Sequence, residues 1–409
     1  MSVGDDIGSV AGGHRGTRDV VARTTQRQGT GDRRGTAGAQ VVVVGGGYAG
    51  TMAANRLTGV PEVARVVLVD ERPRLVERIR LHQVAAGTGT GTPDDLLAAG
   101  VERRTARVER VDDGHVVLAD GTHLAYDRLV LAVGSRAGVP QDVPGARDHA
   151  LPIGVLEDAH RLRDALAGAG PEAVVTVVGG GLTGIEAATE LAEAHPGVRV
   201  RLVAGGVLGP GPAKVGRGRR ALDTALSRLG VEVLDGARVA EVTAGEVVLA
   251  DGRRLRSDVT VWAAGFVVPD LARASGLPVD DVGRLRVQRD LQCATDPRIV
   301  GAGDAVAVTG LPLRMTCQAA LPMGAHAADV VAAGLRGRPA APFGLFFAAQ
   351  CVSLGRRRAV VLRVHDDATP PRVLMRGWAA AVMKELVCRV TVRVLRTEAR
   401  HPGRFRWLG

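Results

Sequence analysis

Two copies of one motif, 134 residues apart, set the limits on how this chain can fold. The first reads Val41-Val42-Val43-Val44-Gly45-Gly46-Gly47-Tyr48-Ala49-Gly50, the second Val174-Val175-Thr176-Val177-Val178-Gly179-Gly180-Gly181-Leu182-Thr183-Gly184. Each is a short apolar run too brief for a helix, ending in G-x-G-x-x-G. Such a run reads as a buried strand, and the glycines as a tight turn into a helix. In that setting Gly45 and Gly179 make the turn. Gly47 and Gly181 let backbone N–H groups approach a pyrophosphate, and Gly50 and Gly184 allow close helix–strand packing. One copy is a weak signal; two in the same context point to two dinucleotides and to electron transfer between them.

The repeat extends beyond the glycines. After the first copy come a helix over Tyr48 to Leu57 and a strand Ala64 to Asp70. Asp70 then ends strand two at the spacing of a ribose-binding carboxylate. Asp-Gly turns at 113–114 and 120–121 mark hairpins, and a buried strand follows through Leu131-Ala132-Val133-Gly134. After the second copy the order recurs, with Asp251-Gly252 and a strand ending at Gly265. Duplication of a whole domain is the simplest account. The fold class is therefore α/β, with two Rossmann-like dinucleotide-binding domains plus a C-terminal α+β region. The expected division is a disordered leader over 1–39, one dinucleotide-binding domain over 40–155 and 266–338, a second over 156–265, and a C-terminal region over 339–409.

Charge and cysteine content exclude other classes. Of the net charge of +10, nine units fall between Gly355 and Gly409, where 12 Arg and 1 Lys face 2 Asp and 2 Glu. No nucleic-acid-binding motif or interleaved aromatics accompany this tail, so no nucleic-acid partner is expected. Cys293, Cys317, Cys351 and Cys388 form no C-x-x-C, which excludes a zinc ribbon and a local redox disulfide; they read as buried small hydrophobes, and no metal site is expected. No apolar stretch is long enough for a bilayer crossing of roughly 20 residues. A cytoplasmic protein is expected, with peripheral contact at the inner face of the cell membrane as the variant.

In these residues the chain resembles the two-dinucleotide flavoproteins of the pyridine nucleotide–disulfide oxidoreductase fold, and within them the type II NADH dehydrogenases. The resemblance covers residues 40 to 390. It rests on the first glycine motif with Asp70, Leu131 to Gly134, the second motif with Glu186, Ala302-Gly303-Asp304, and Arg78 to Gly87. It implies FAD on Gly45, Gly47, Tyr48, Ala49 and Gly50, with Asp70 on the adenosine ribose. Ala132 and Gly134 would complete that wall, and Gly303 and Asp304 would reach the ribityl chain. The helix starting near Gln318 would aim its positive end at the flavin. Gly179, Gly181 and Gly184 would hold NADH or NADPH, with Glu186 and Gly265 at the nicotinamide side. Met323 reads as core, with a place near the ring as the alternative.

The resemblance implies hydride transfer from NAD(P)H to flavin and then electrons to a quinone-type acceptor, with no side chain as acid or base in the first half. Alternatives are a soluble reductase of a ferredoxin-like protein and a redox sensor with little turnover. Two departures matter. Ala204 stands where an NADH site would carry an acid, and Arg217, Arg219 or Arg220 could meet a 2′-phosphate. No cysteine precedes Cys293, which removes the thiol relay of disulfide reductases and of sulfide:quinone enzymes. In the tail, Arg389, Arg393, Arg396 and Arg400 form one helical stripe, and Trp378, Val382, Leu386 and Val390 another. That pattern suits an interfacial anchor; docking on the protein itself or a homodimer partner is the alternative, and the β-branched run from Val390 to Val394 also fits a strand.

Overall fold

The computed structural model describes residues 38–206, 208–209, 217–346, 349–363 and 372–407. The expected leader lies outside them up to residue 37. The valine runs form the strands Ala39–Val44 and Val174–Val178, whose central residues are completely buried. Burial of each such side chain contributes about 1.5–3 kcal/mol, so these runs seat the two sheets firmly.

Each glycine strand is the middle of a five-stranded parallel sheet. The first runs Ile299–Gly301, Arg128–Leu131, Ala39–Val44, Val63–Asp70, Val101–Thr105; the second runs Ala150–Pro152, Val259–Trp262, Val174–Val178, Arg199–Ala204, Glu232–Asp235. The two orders superimpose strand for strand. The edge strand of the first sheet comes from beyond the second sheet in sequence, so the first domain is interrupted by the second. Ala150–Pro152 pairs in the second sheet, which puts the crossing between the sheets just before it.

The Asp-Gly turns fold as expected into three-stranded antiparallel meanders: Val108–Asp112, His115–Leu118 and His123–Ala125 in one copy, Val239–Val242, Glu246–Leu249 and Arg254–Arg256 in the other. The C-terminal region is a three-stranded antiparallel sheet, Gln350–Ser353, Ala359–Arg363 and Arg372–Gly377, followed by a 23-residue helix, Trp378–Arg400. The β-branched run of the tail is helical. Thr391 and Leu395 continue a buried face begun by Ala380 and Cys388, and that packing overrides strand propensity.

Ion pairs, one of them fully buried, fix the C-terminal helix. Arg56, on the first glycine helix, meets Glu398 at 3.0 Å and Asp329 at 2.7 Å. Glu398 also accepts the N–H groups of Gly403 and Phe405. Arg80 meets Glu385 at 3.0 Å.

Candidate functional site: two nucleotide cradles and a buried ion pair

The two glycine turns are built alike. Gly45 (φ +105°) and Gly179 (φ +127°) sit in the left-handed region, where other residues are strained. A Cβ on Gly50 would land on the Gly45 carbonyl oxygen, and one on Gly184 on the Gly179 carbonyl oxygen. Gly47 and Gly181 instead face open space, with nothing within 4 Å of an added Cβ. Each is the N-cap of its helix, Tyr48–Leu57 or Leu182–Ala194. The first-turn N–H groups therefore point into free volume with the positive end of a helix dipole behind them, which is an anion cradle.

Around the first cradle the expected residues come together. Asp70 Oδ2 accepts the Gly46 N–H at 2.6 Å, and Oδ1 accepts the Arg72 N–H at 2.8 Å. The Ala132 N–H donates to the Val44 carbonyl, placing its own carbonyl against Gly45. Gly303 closes to within 3.2 Å of the Ala49 methyl, measured from an added Cβ. Beside it, Asp304 Oδ2 accepts the Ser135 hydroxyl at 2.7 Å and lies 3.6 Å from Arg78 Nη1. Gly134 turns at φ +67° next to the same guanidinium. Arg78 and Ser135 were not singled out from the sequence. Gln318 lies in the first turn of the helix Cys317–Leu335, whose N-cap Thr316 accepts the Ala319 N–H. Ala319 and Met323 line a small opening together with Gly303, Asp304 and Arg284. Met323 is 1% exposed, a core residue that also forms part of that wall.

This donor set fits FAD. Two buried polar atoms here, Tyr48 Oη and Arg78 Nε, have no partner among the described residues. Burial, followed by nearby Cys317 and Glu77, pushes the Tyr48 hydroxyl well above its usual range, so it stays protonated and able to donate. Orphaned donors beside an open glycine turn are what a bound phosphate or hydroxyl-rich chain would satisfy.

Glu186 does not sit as a free first-turn carboxylate. It pairs with Lys384 of the C-terminal helix, and Oε1 also accepts the Ser353 N–H at 2.9 Å. The two side chains are 12% and 13% exposed. Burial alone would raise the Glu186 pKa, but Lys384 and His82 outweigh it and hold the carboxyl below its ordinary range. Burial would lower Lys384, and Glu186 more than reverses this, so both groups are charged at neutral pH. His82 Nδ1 lies 4.0 Å from Glu186, its Nε2 has no partner among the described residues, and burial pushes its pKa down to about 4. One turn further along the helix, Glu190 is buried, accepts the Thr88 hydroxyl at 2.6 Å, and is raised by that burial.

Lys384 was missed from the sequence, yet a signal existed. It is one of two lysines in a chain with 51 arginines, and a buried ammonium is not interchangeable with guanidinium. Gly265 turns at φ +79° after the strand Val259–Trp262. All four cysteines are free thiols. Burial raises the thiols of Cys317, to about 11, and of Cys351 and Cys388, so none of these three is a ready nucleophile.

A sequence-family model described as pyridine nucleotide-disulphide oxidoreductase matches residues 39–328. The chain belongs to the pyridine nucleotide-disulphide oxidoreductase family. Among its relatives is an NADH dehydrogenase-like protein of Mycobacterium tuberculosis, 33% identical over 64% of this chain and 69% of that protein. Another is a demethylphylloquinone reductase of Synechocystis, 30% identical over 62% and 65%. In fold it is similar to the sulfide:quinone oxidoreductase of Aquifex aeolicus, with TM-score 0.72 and 20% identity over 89% of this chain and 93% of that one. That likeness concerns the fold alone. Family membership accounts for the interrupted first sheet and the paired cradles.

Proposed function

We propose that this chain is an FAD-dependent NAD(P)H dehydrogenase that passes electrons to a quinone-type acceptor. The observation that carries the reading is the pair of matched, open glycine cradles within one compact unit, together with the thiols of Cys317, Cys351 and Cys388 raised by burial. When bound, FAD supplies the chemistry: it accepts hydride from the nicotinamide and yields electrons to the acceptor. In this reading residues 40 to about 149 and 266–338 hold FAD, and about 150–265 hold the nicotinamide dinucleotide. The names of the two relatives, a dehydrogenase-like protein and a quinone reductase, support donor and acceptor.

The chain's own residues then have defined tasks. The N–H groups after Gly47 bind one pyrophosphate and those after Gly181 the other. Asp70 takes the adenosine ribose of FAD, while Asp304, held by Ser135 and Arg78, takes a hydroxyl of the ribityl chain. The start of the Cys317–Leu335 helix stabilises negative charge on the reduced ring. Glu186 fixes Lys384, which holds a proton at Nζ inside the protein. Stopped-flow mixing of the flavin-loaded protein with NADH or NADPH tests the reading. Rapid bleaching followed by reoxidation with a soluble quinone is expected. Reoxidation by an iron–sulfur protein alone would favour the protein-reductase alternative, and no bleaching by either donor would overturn the dehydrogenase.

We further propose a peripheral membrane contact through the C-terminal helix. Trp378 (75% exposed), Val382, Leu386 and Val390 lie on one outward face, and Met383 and Val387 widen it. Arg389 and Arg393 stand exposed beside it. Apolar side chains flanked by arginines suit an anionic lipid surface. Among the described residues no helix is long and apolar enough to cross a membrane. A homodimer through this face is the competing occupant, and sedimentation with and without anionic liposomes separates the two.

A further inference from the structure

The two cradles differ at one corner. In the first, Asp70 ends the second strand and its carboxylate grips the loop. In the second, the equivalent residue is Ala204, fully buried, so no side-chain acceptor meets a ribose diol there. The next residue, Gly205, is exposed, and a Cβ on it would lie 3.4 Å from Arg238 Cγ and 3.8 Å from Arg238 Cα. Arg238 reaches this point because Glu232–Asp235 pairs with Arg199–Ala204, with Ala204 opposite Asp235. The Gly236 N–H then donates to the Ala204 carbonyl at 2.7 Å, holding the following turn against the strand end.

Of the sequence candidates for this corner, Arg219 is already committed. Its Nε meets Asp223 at 2.8 Å and its Nη1 meets Asp235 at 2.9 Å, which also neutralises the carboxylate ending the neighbouring strand. Arg217 begins the helix Arg217–Arg228, but its side chain is outside the described residues, and Arg220 is exposed on that helix. Arg238 is exposed, and its guanidinium has no hydrogen-bond or ion-pair partner among the described residues.

We infer that this corner is a 2′-phosphate subsite, that Arg238 is its selecting residue, and that the chain takes NADPH in preference to NADH. The inference rests on the reading that the second cradle holds a nicotinamide dinucleotide. A phosphate monoester on the adenosine ribose carries close to two negative charges, which an acid at position 204 would repel and a guanidinium fork receives. Arg238 is solvated in the absence of phosphate, so NADH loses an attraction and meets no penalty. Selectivity is therefore a matter of gained contact, on the order of 10- to 100-fold.

Calorimetric titration of the flavin-loaded protein with adenosine 2′,5′-bisphosphate and with 5′-AMP reads the subsite without turnover. The bisphosphate is expected to bind at least about tenfold tighter. Arg238→Ala removes that margin, and Arg238→Lys, a point charge without the fork, retains part of it. Equal binding of the two nucleotides, or an unchanged margin in Arg238→Ala, overturns the inference. Anaerobic flavin reduction separates its failure from that of the dehydrogenase reading. Faster bleaching by NADH than by NADPH, with the ratio untouched in Arg238→Ala, sinks the selectivity alone. Bleaching by neither donor sinks both.

Discussion

Glu186 and Lys384, 198 positions apart, form an ion pair inside the molecule. Through it the helix of the second glycine turn is tied to the last helix of the chain. Lys384 also lies 3.4 Å from the Cys351 carbonyl, so the ammonium bridges the nicotinamide-side domain and the C-terminal sheet. Removing one partner leaves an unpaired charge in a site that water barely reaches. Lys384→Met and Glu186→Gln are each expected to cost about 3–5 kcal/mol, and the double variant less than the sum. Denaturant unfolding measures this; additive costs would mean that the pair is not coupled.

His82 gives the acid limb of stability a recognisable shape. The unfolded chain takes up its proton near pH 6.5, whereas the folded chain does so only near pH 4. Between these values the unfolded state binds more protons, so stability falls as pH drops through that window, by on the order of 3 kcal/mol. Glu186, with its pKa depressed below its unfolded value of 4.5, contributes fully above that value and loses the contribution as pH falls from there through its folded value. His82→Asn should flatten the upper part of the acid limb. An unchanged slope between pH 6.5 and 4 in that variant would contradict the assignment.

The matched glycine clashes predict opposite phenotypes for equivalent changes. Gly50→Ala pushes a methyl onto the Gly45 carbonyl and is expected to yield colourless protein. Gly184→Ala does the same in the second cradle and is expected to yield yellow protein that NAD(P)H reduces at least about tenfold more slowly. Flavin absorbance and stopped-flow reduction separate the two. Loss of flavin in Gly184→Ala would dissolve the division of labour between the cradles.

Asp70 holds two backbone N–H groups and in the proposed function also receives a ribose. Asp70→Ala frees the Gly46 and Arg72 N–H groups and removes the ribose acceptor. A loss of about 1.5–3 kcal/mol of FAD affinity follows from deleting charge-assisted hydrogen bonds. Equilibrium dialysis of the flavin measures it, and Asp70→Asn should recover part.

Leu386→Asp changes an exposed side chain on the outward face of the C-terminal helix, away from the buried Glu186–Lys384 pair. It should abolish co-sedimentation with anionic liposomes while leaving flavin content unaltered. Retained co-sedimentation would assign that face to another occupant.

The paired Val-run and glycine motifs, Asp70 and the Asp-Gly turns were legible because each is a local rule: period, turn conformation and close approach act over a few residues. Those rules predicted the first glycine helix residue for residue and, in both repeats, the run of strand, glycine turn, helix, strand, hairpin and strand, but not the third parallel strands Val101–Thr105 and Glu232–Asp235. The tail was legible only as a pattern. Its arginine and apolar stripes are real, but the buried face is a third one, through Ala380, Cys388, Thr391 and Leu395. Composition cannot tell which face of a helix finds a neighbour.

The sequence by itself determined that the chain builds two copies of a nucleotide-binding unit, since glycine and buried valine leave little else at those positions. Only the tertiary structure decided which distant charges meet. Lys384 with Glu186, Arg56 with Glu398, and Asp304 with Ser135 and Arg78 are joined by packing across long separations, and burial leaves each charge the partner it needs.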